Sequence, residues 1–289
     1  MEERVMRLFT SNSDMGFCKC LICWLAIFTA FYYVIVKYTP DITGAANQWQ
    51  GNVIRAQRYF FSKNSPPNVL VGSSEAANLP VQEISSNWAN ISMSGGSPET
   101  GVDIVLRKKR LGMLPDSVWI EINETNLRNI DSDVLDKLSD WYKIPLTREY
   151  ERPDYLVYCY TVFLKEKIKP KTLKPDDVNR PSKTTLNRVI GEHDKNFNEA
   201  RYREHLLRMK TKIDELIASG VSIIFFEPPN APEIYDSNVS TAARRISLEI
   251  FPKDQYTWKE FDWADYRTGD GIHLQQQSAR RLANQIVNM

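Results

Sequence analysis

The alternation of short apolar runs with segments of helical spacing constrains the fold of this chain more than any other feature. Each apolar run after residue 67 ends in a turn, and a helix-compatible segment follows most of these turns. Strands that alternate with helices predict crossover connections, and hence an α/β fold with a parallel sheet and helices on both faces. We expect strands at residues 68–71, 88–93, 117–122, 221–226 and 256–263, and helices at 76–86, 99–114, 200–219, 240–251 and 275–287.

The alternation breaks down between Leu127 and Lys195. Aromatic residues are frequent in the first part of this segment, and a tract rich in Lys and Pro follows at residues 165–181. We interpret residues 127–195 as a partly helical insertion. It could form a roof over a functional site, or it could be a solvated surface excursion with its own small apolar contact, and the sequence is compatible with both.

The first part of the chain carries an apolar and aromatic stretch at residues 16–36, interrupted only by Lys19. About twenty such residues suffice to cross a bilayer. Because no small-residue cleavage site precedes Lys37, we favour a retained signal anchor over a cleaved signal peptide. More basic residues precede or enter the stretch (Arg4, Arg7 and Lys19) than directly follow it (Lys37). The N-terminus is therefore expected in the cytoplasm.

These features predict a single-pass membrane protein whose main domain lies outside the cytoplasm, in a periplasm or at a cell surface. The expected parts are a cytoplasmic N-terminus at 1–15, a transmembrane signal anchor at 16–36, a stalk with an amphipathic helix at 37–67, and a domain at 68–289 that contains the insertion 127–195.

Charge and composition exclude several classes of function. The net charge is +1, and no basic face stands out, so nucleic acid is not an expected partner. The chain has three histidines without paired spacing, which argues against a metal centre, and no motif predicts a cofactor. Three of the four cysteines, Cys18, Cys20 and Cys23, fall inside the apolar stretch, where lipid-embedded thiols are the simpler interpretation.

Two segments far apart in the chain suggest nucleophilic chemistry. Residues 69–75 read as a buried strand that delivers serine hydroxyls to a sharp turn, and a serine hydroxyl needs a base to accept its proton. Asp270 and His273 lie three apart in the loop before the last helix, so the carboxylate can bind one ring nitrogen while the other faces the serine. Each feature alone has a structural alternative, such as a helix cap or a surface histidine.

Four short blocks then occur in a fixed order: Gly72-Ser73-Ser74, Asn90 to Gly96, Asn123 to Asn126, and Asp270 to His273. This ordered set resembles the SGNH superfamily, also called GDSL-like hydrolases, over most of residues 68–289. The resemblance implies a three-layer α/β/α fold around a flavodoxin-like parallel sheet, with the insertion unmatched.

The resemblance also implies a role for each residue of the site. Ser74 would be the nucleophile, His273 the general base and then acid, and Asp270 its orienting partner. The oxyanion would be bound by Ser74 itself, by the backbone N–H of Gly95 and by the side chain of Asn123, with Asn126 as the alternative. The third block departs from the family, because the usual Gly-x-Asn-Asp is absent.

The Gly-Ser-Ser-Glu form of the first block and the single N-terminal anchor resemble the branch of this superfamily that modifies cell-envelope polymers. That likeness implies serine-dependent acyl transfer on envelope carbohydrate, as an O-acetyltransferase or an O-acyl esterase with an acyl-serine intermediate. Expected partners are an acylated or acyl-accepting carbohydrate, the membrane, and a membrane protein that supplies the acyl donor. The alternative is an inactive SGNH scaffold that binds envelope glycan or a membrane partner.

Overall fold

The structure is a computed structural model that describes residues 13–38, 48–63, 65–138 and 181–289. Residues 1–12 of the predicted cytoplasmic segment, residues 39–47 of the predicted stalk and most of the predicted insertion lie outside this part of the chain. The first described element is helix α1, Ser13–Tyr38. Within the four described ranges, no helix combines the length and the apolar character that a membrane span requires.

The predicted parallel sheet is confirmed. Its five strands lie in the order β2-β1-β3-β4-β5, all parallel, which is the order of flavodoxin-like doubly wound sheets. In this register Leu70 lies opposite Asn90 on one side and Trp119 on the other. The strand bounds are β1 Asn68–Val71, β2 Trp88–Asn90, β3 Ser117–Glu121, β4 Ser222–Phe226 and β5 Thr257–Lys259.

Helices connect these strands and cover the sheet. The helix predicted at 76–86 is two short helices, because Pro80 lacks an N–H and restricts the residue before it. The helices after α1 are α2 Gln48–Phe61, α3 Ser74–Ala77, α4 Val81–Ile84, α5 Pro98–Lys109, α6 Ser132–Asp136, α7 Lys183–Asn196, α8 Glu199–Ile217, α9 Pro232–Tyr235, α10 Asn238–Ile250 and α11 Gln276–Val287, with 3₁₀ turns at Glu124–Leu127 and Trp263–Asp265.

The sheet is buried on both faces, as a parallel sheet requires. Successive strand residues point to opposite faces, so Val69 and Val71 enter one core while Leu70 enters the other. The larger core also takes side chains from α2, α5, α8 and α10. The smaller core takes side chains from α4 and α11. These two cores and the sheet between them form the expected three layers.

Helix α2 is part of this domain and not of a separate stalk. Val53, Ala56 and Tyr59 are buried in the larger core. The buried ammonium of Lys108 donates to the carbonyls of Tyr59 and Ser62, and so satisfies acceptors at the C-terminal end of α2. The division expected at residue 68 therefore separates residues that pack together.

The parallel direction of the strands determines where a site can form. The carboxyl ends of all five strands meet at one edge of the sheet, where α/β proteins bind their ligands. This edge carries residues 72–74 after β1, residues 91–95 after β2, residues 122–123 after β3 and residues 227–230 after β4.

Candidate active site

The strand β1 ends in a sharp turn into helix α3 that only glycine permits. A Cβ on Gly72 would lie 2.5 Å from Ala76 Cβ and 2.5 Å from Glu121 Oε2. After this glycine, the Ser73 hydroxyl caps α3 by accepting from the Glu75 N–H at 3.3 Å. Because Ser73 fills the capping role, the hydroxyl of Ser74 on the first residue of α3 is left for another partner.

That partner is His273, 199 residues further along the chain. Ser74 Oγ lies 3.0 Å from His273 Nε2, and His273 Nδ1 lies 2.7 Å from Asp270 Oδ2. The structure thus brings together the three residues that the sequence analysis assigned to proton transfer. Both distances are within the range in which a base can take a proton from a nucleophile and be oriented by a third group.

The charges of this pair stabilise each other. The hydrogen bond that the His273 ring donates to Asp270 raises the pKa of His273 above its ordinary value, although burial opposes this shift. Burial would raise the pKa of Asp270, but the hydrogen bonds from the His273 ring, the His273 N–H and the Ile272 N–H hold it well below its ordinary value. Asp270 is therefore ionised wherever His273 can act as a base.

The loop that carries Asp270 and His273 is fixed by its own backbone and by one glycine. Asp270 Oδ1 accepts from Ile272 N at 3.0 Å and from His273 N at 2.8 Å. Gly271 has φ +104, and a Cβ there would lie 2.6 Å from a methyl carbon of Ile234. The loop can approach α9 this closely only because residue 271 has no side chain.

Asn230 joins this loop to the nucleophile turn. Its amide, oriented to satisfy its neighbours, donates to Ile272 O at 3.2 Å and to Glu75 Oε2 at 3.1 Å. The side chain is buried. The loop after β4 thus contributes a bridge between the two halves of the triad.

The predicted oxyanion donors differ in their surroundings. Gly95 is exposed with φ +71, and among the described residues no acceptor contacts its N–H. Asn123 is buried, and its amide donates to Glu75 Oε1 and to Glu121 Oε1, each at 2.9 Å. The expectation that Asn123 aims an N–H at the oxyanion is not met in this conformation, because both N–H groups bind carboxylates. The side chain of the alternative, Asn126, lies outside the described residues.

Glu121 is a site residue that the sequence analysis missed. Its fully buried carboxylate accepts from Ser73 N and Ala76 N at 3.0 Å each, and from the Ser73 hydroxyl at 2.5 Å. Burial raises the pKa of Glu121, and these hydrogen bonds oppose the shift. A detectable signal exists in the sequence, since Glu121 is a lone carboxylate within a strand-like apolar run.

Glu75, the residue after the nucleophile, was also missed. Burial and the nearby carboxylates of Glu121, Glu124 and Glu227 raise the pKa of Glu75 well above its ordinary value, while Arg128 acts in the opposite direction. Glu75 therefore keeps its proton to higher pH than an exposed glutamate does, as expected for a carboxyl group placed beside other acids.

Two further carboxylates near this edge lie beside basic side chains. Glu227 binds Arg244 through two hydrogen bonds of 2.8 and 2.9 Å, and Glu124 Oε1 lies 2.9 Å from His193 Nδ1. Within the residues that the structure describes, no group of three or more His, Cys, Asp or Glu side chains is arranged to hold a metal ion.

Comparisons with known proteins find only distant structural likeness. No family model matches the chain, and no curated protein does. Among solved structures, a protein from Streptococcus pneumonia assigned as a platelet activating factor has 12% identity over 83% of this chain and 91% of its own, with a TM-score of 0.41.

Two further solved structures are similar at the same level. A Bacteroides fragilis protein assigned as an acylhydrolase has 11% identity over 78% of this chain and 88% of its own, with a TM-score of 0.36. A GDSL-like lipase from Bacteroides thetaiotaomicron has 10% identity over 89% of this chain and 98% of its own, with a TM-score of 0.37.

Proposed function

We propose that this chain is a serine-dependent acyl-transfer enzyme of the SGNH type. One observation carries the proposal: Ser74 Oγ lies 3.0 Å from His273 Nε2, and the same ring is held by Asp270 at 2.7 Å. Three unrelated structural roles for these residues would not require this contact across 199 residues of chain. Nucleophile, base and orienting carboxylate are the parts that acyl transfer to serine needs.

The proposed first half-reaction forms an acyl-serine. His273 Nε2 accepts the proton of the Ser74 hydroxyl while Oγ attacks the ester carbonyl carbon. The oxyanion is stabilised by backbone N–H groups, of which that of Gly95 is available. When the tetrahedral intermediate breaks down, the leaving alcohol takes the proton from His273, and the acyl group stays on Ser74.

The second half-reaction returns the serine. A sugar hydroxyl or a water molecule gives its proton to His273 Nε2 and attacks the acyl carbon, and Ser74 leaves as the free hydroxyl after His273 protonates it. A sugar acceptor makes the protein an O-acyltransferase, and a water acceptor makes it an esterase. Asp270 stays ionised throughout and stabilises the imidazolium in both halves.

An inactive scaffold is the second candidate, and the position of Asn123 favours it. Its amide is bound to two carboxylates, and the loss of one oxyanion donor costs about 10²–10³ in rate. A chain with this arrangement could bind an envelope glycan or a membrane partner without chemistry.

Labelling with a fluorophosphonate decides between the two candidates. The wild-type chain should be labelled, and Ser74→Ala should not. Ser86→Ala is the matched control, because Ser86 is an exposed serine in the same domain and its loss should leave labelling unchanged. A folded wild-type chain that resists labelling would favour the scaffold.

We further propose that the substrate is a carbohydrate ester of the cell envelope and that residues 16–36 anchor the chain. Large apolar side chains on α1 support the anchor, since Phe17, Trp24 and Phe31 are 69%, 70% and 60% exposed. An anchored enzyme would act on a donor or acceptor held at the membrane, and a membrane protein that supplies the acyl group would fit this arrangement.

Two measurements test these finer points. Turnover of a chromogenic acetyl ester should increase when an oligosaccharide acceptor is added, and the acetylated oligosaccharide should be found by mass spectrometry; acceptor-independent turnover indicates a plain esterase. The full chain should resist carbonate extraction from membranes, and a membrane-impermeant fluorophosphonate should label Ser74 in intact cells. Extraction into the soluble fraction would contradict the anchor.

A further inference from the structure

One side chain of α2 holds the main chain of the loop after β2. Asn52 Nδ2 donates to Ser94 O at 2.9 Å, and Asn52 Oδ1 accepts from Ser94 N at 2.9 Å. Asn52 is 3% exposed and lies 42 residues before its partner. Because a buried polar group without a partner destabilises the fold, this paired contact ties the loop to α2.

The contact between Asn52 and Ser94 also fixes the orientation of the next peptide group. Ser94 O and the Gly95 N–H belong to the same peptide unit, which is planar and trans, so the two groups point in opposite directions. When Asn52 holds the carbonyl, it also sets the direction of the Gly95 N–H. Among the described residues no acceptor contacts that N–H, and Gly95 is exposed.

Two neighbours of Asn52 on α2 contact the same loop. Gln48 lies against Gly95, where a Cβ would come within 2.9 Å of Gln48 Nε2. Arg55 donates to Ser92 O. Residues 48, 52 and 55 are four and three positions apart, so they form one stripe on the helix. The polar stripe of α2 thus follows the loop residue by residue.

We propose that Asn52 is a positioning residue for the oxyanion site: through Ser94 O it aims the Gly95 N–H at the carbonyl oxygen of the bound ester. This inference rests on the proposed function. It also gives α2 a role beyond its place in the core, because the helix connects the segment after the proposed anchor to the catalytic edge of the sheet.

Kinetics of two substitutions on the same helix test this role. Asn52→Ala should lower kcat for a chromogenic ester by about 10- to 100-fold, the scale expected when an oxyanion donor is misdirected. KM should change less, and the acidic limb of the pH profile should stay in place because His273 is not touched. Gln57→Ala is the matched control, since buried Gln57 donates to Lys137 O at 3.2 Å and has no contact with the loop among its hydrogen bonds. Gln57→Ala should keep kcat within about threefold of the wild type, although it should lose about as much thermal stability as Asn52→Ala does.

Hydrogen exchange supplies a readout that does not depend on turnover. The peptide covering residues 92–96 should exchange faster in Asn52→Ala than in the wild type or in Gln57→Ala, while the peptide covering residues 72–77 should not change. Equal kcat in the two variants, in a wild type that turns over esters, overturns the inference and leaves the proposed function intact. If the wild type is neither labelled nor active, the proposed function is wrong. If exchange at residues 92–96 is the same in Asn52→Ala as in the wild type, the inference that Asn52 holds the loop is wrong as well.

Discussion

The two halves of the Ser74–His273 contact are built in different ways. The nucleophile turn is buried, with Ser73 and Glu121 both 0% exposed, and its hydrogen bonds come from a neighbouring strand. The acid–base loop is half open to solvent, with the side chains of Asp270 and His273 each 39% exposed. The carboxylate of Asp270 accepts from two N–H groups of its own loop.

This difference separates stability from chemistry. The nucleophile turn is fixed by buried hydrogen bonds to the carboxylate of Glu121 at the end of β3, so substitutions there should reduce stability and activity together. The Asp270 carboxylate is held by N–H groups of its own loop, so a substitution that keeps these backbone contacts should reduce activity more than stability. Glycines at both places permit close approach, Gly72 against Glu121 and Gly271 against Ile234.

The largest effect is expected from Asp270→Asn. The amide oxygen can still accept from the backbone of the loop, but the amide nitrogen faces His273 Nδ1 and enforces the wrong tautomer. We expect kcat to fall about 10³–10⁴-fold, as for a triad whose carboxylate is neutralised. The free energy of unfolding at neutral pH should also fall, because the ionised carboxylate with its lowered pKa stabilises the folded state.

The pH profile sharpens this prediction. The base must be neutral, and the bond to Asp270 raises the pKa of His273. In the wild type kcat/KM should therefore rise with pH through an inflection above the ordinary histidine value of about 6.5. In Asp270→Asn the inflection should move to lower pH. A variant with wild-type kcat, or an unshifted inflection, would contradict the role of Asp270.

Substitution of Glu121 should lower both the free energy of unfolding and the activity of the site. Glu121→Gln keeps one acceptor but places an NH₂ against the Asn123 amide, so buried donors lose their partner. We expect a loss of about 2–3 kcal/mol in the free energy of unfolding, together with a clear fall in the rate of fluorophosphonate labelling.

Glu227→Gln is the comparison for this variant. It breaks the ion pair with Arg244 after the adjacent strand β4, so it should lower stability with a smaller effect on labelling. Equal labelling rates in both variants at equal stability would show that Glu121 does not position the nucleophile turn.

Gly271→Ala should have an intermediate effect. The new Cβ meets Ile234 and Leu186 in addition to the strain of φ +104. Gly220→Ala has the same kind of strain at φ +88 but open space around it. Each strain costs about 1–3 kcal/mol, so the melting temperature should fall further in Gly271→Ala, and only this variant should lose kcat. Equal melting temperatures would argue against the tight packing of the loop.

The smallest effect concerns Glu75 and the pH dependence of stability. Its pKa is raised in the folded chain, so above the ordinary value the folded state keeps a proton that the unfolded state has released. By linkage the free energy of unfolding then falls as pH rises, by at most about 1.4 kcal/mol per pH unit for this group. Denaturant unfolding at pH values above the ordinary glutamate value of about 4.3 should show this slope, and Glu75→Gln should flatten it. If Glu75→Gln shows the same pH dependence of the free energy of unfolding as the wild type, other carboxyl groups cause that dependence.

Local patterns explain what the sequence predicted well. The strand at residues 68–71 was predicted with its observed bounds, because an apolar run closed by Gly72 has few alternatives. The pairing of Asp270 with His273 follows from a spacing of three residues in one loop. The parallel direction of the strands follows from their alternation with helices.

Contacts between distant segments explain what the sequence did not predict. The environment of Asn123 depends on Glu121, two residues before it, and on Glu75, which approaches Asn123 only when β1 and β3 pair. The helix at 48–61 reads as an amphipathic surface helix, yet its apolar face completes the larger core and its polar stripe meets the loop at 92–95. Glu75 is 48 residues from Asn123, and Asn52 is 42 residues from Ser94. Contacts over such separations leave no periodic pattern in the sequence.

Trapping of the intermediate tests the central claim most directly. If His273 activates Ser74, a reaction with an acetyl ester that is quenched in acid within the first turnover should yield an acetyl group on the peptide that contains Ser74, and His273→Ala should yield none. Ester hydrolysis by the folded wild-type chain without acetyl on Ser74, or acetylation that persists in His273→Ala, would contradict the claim.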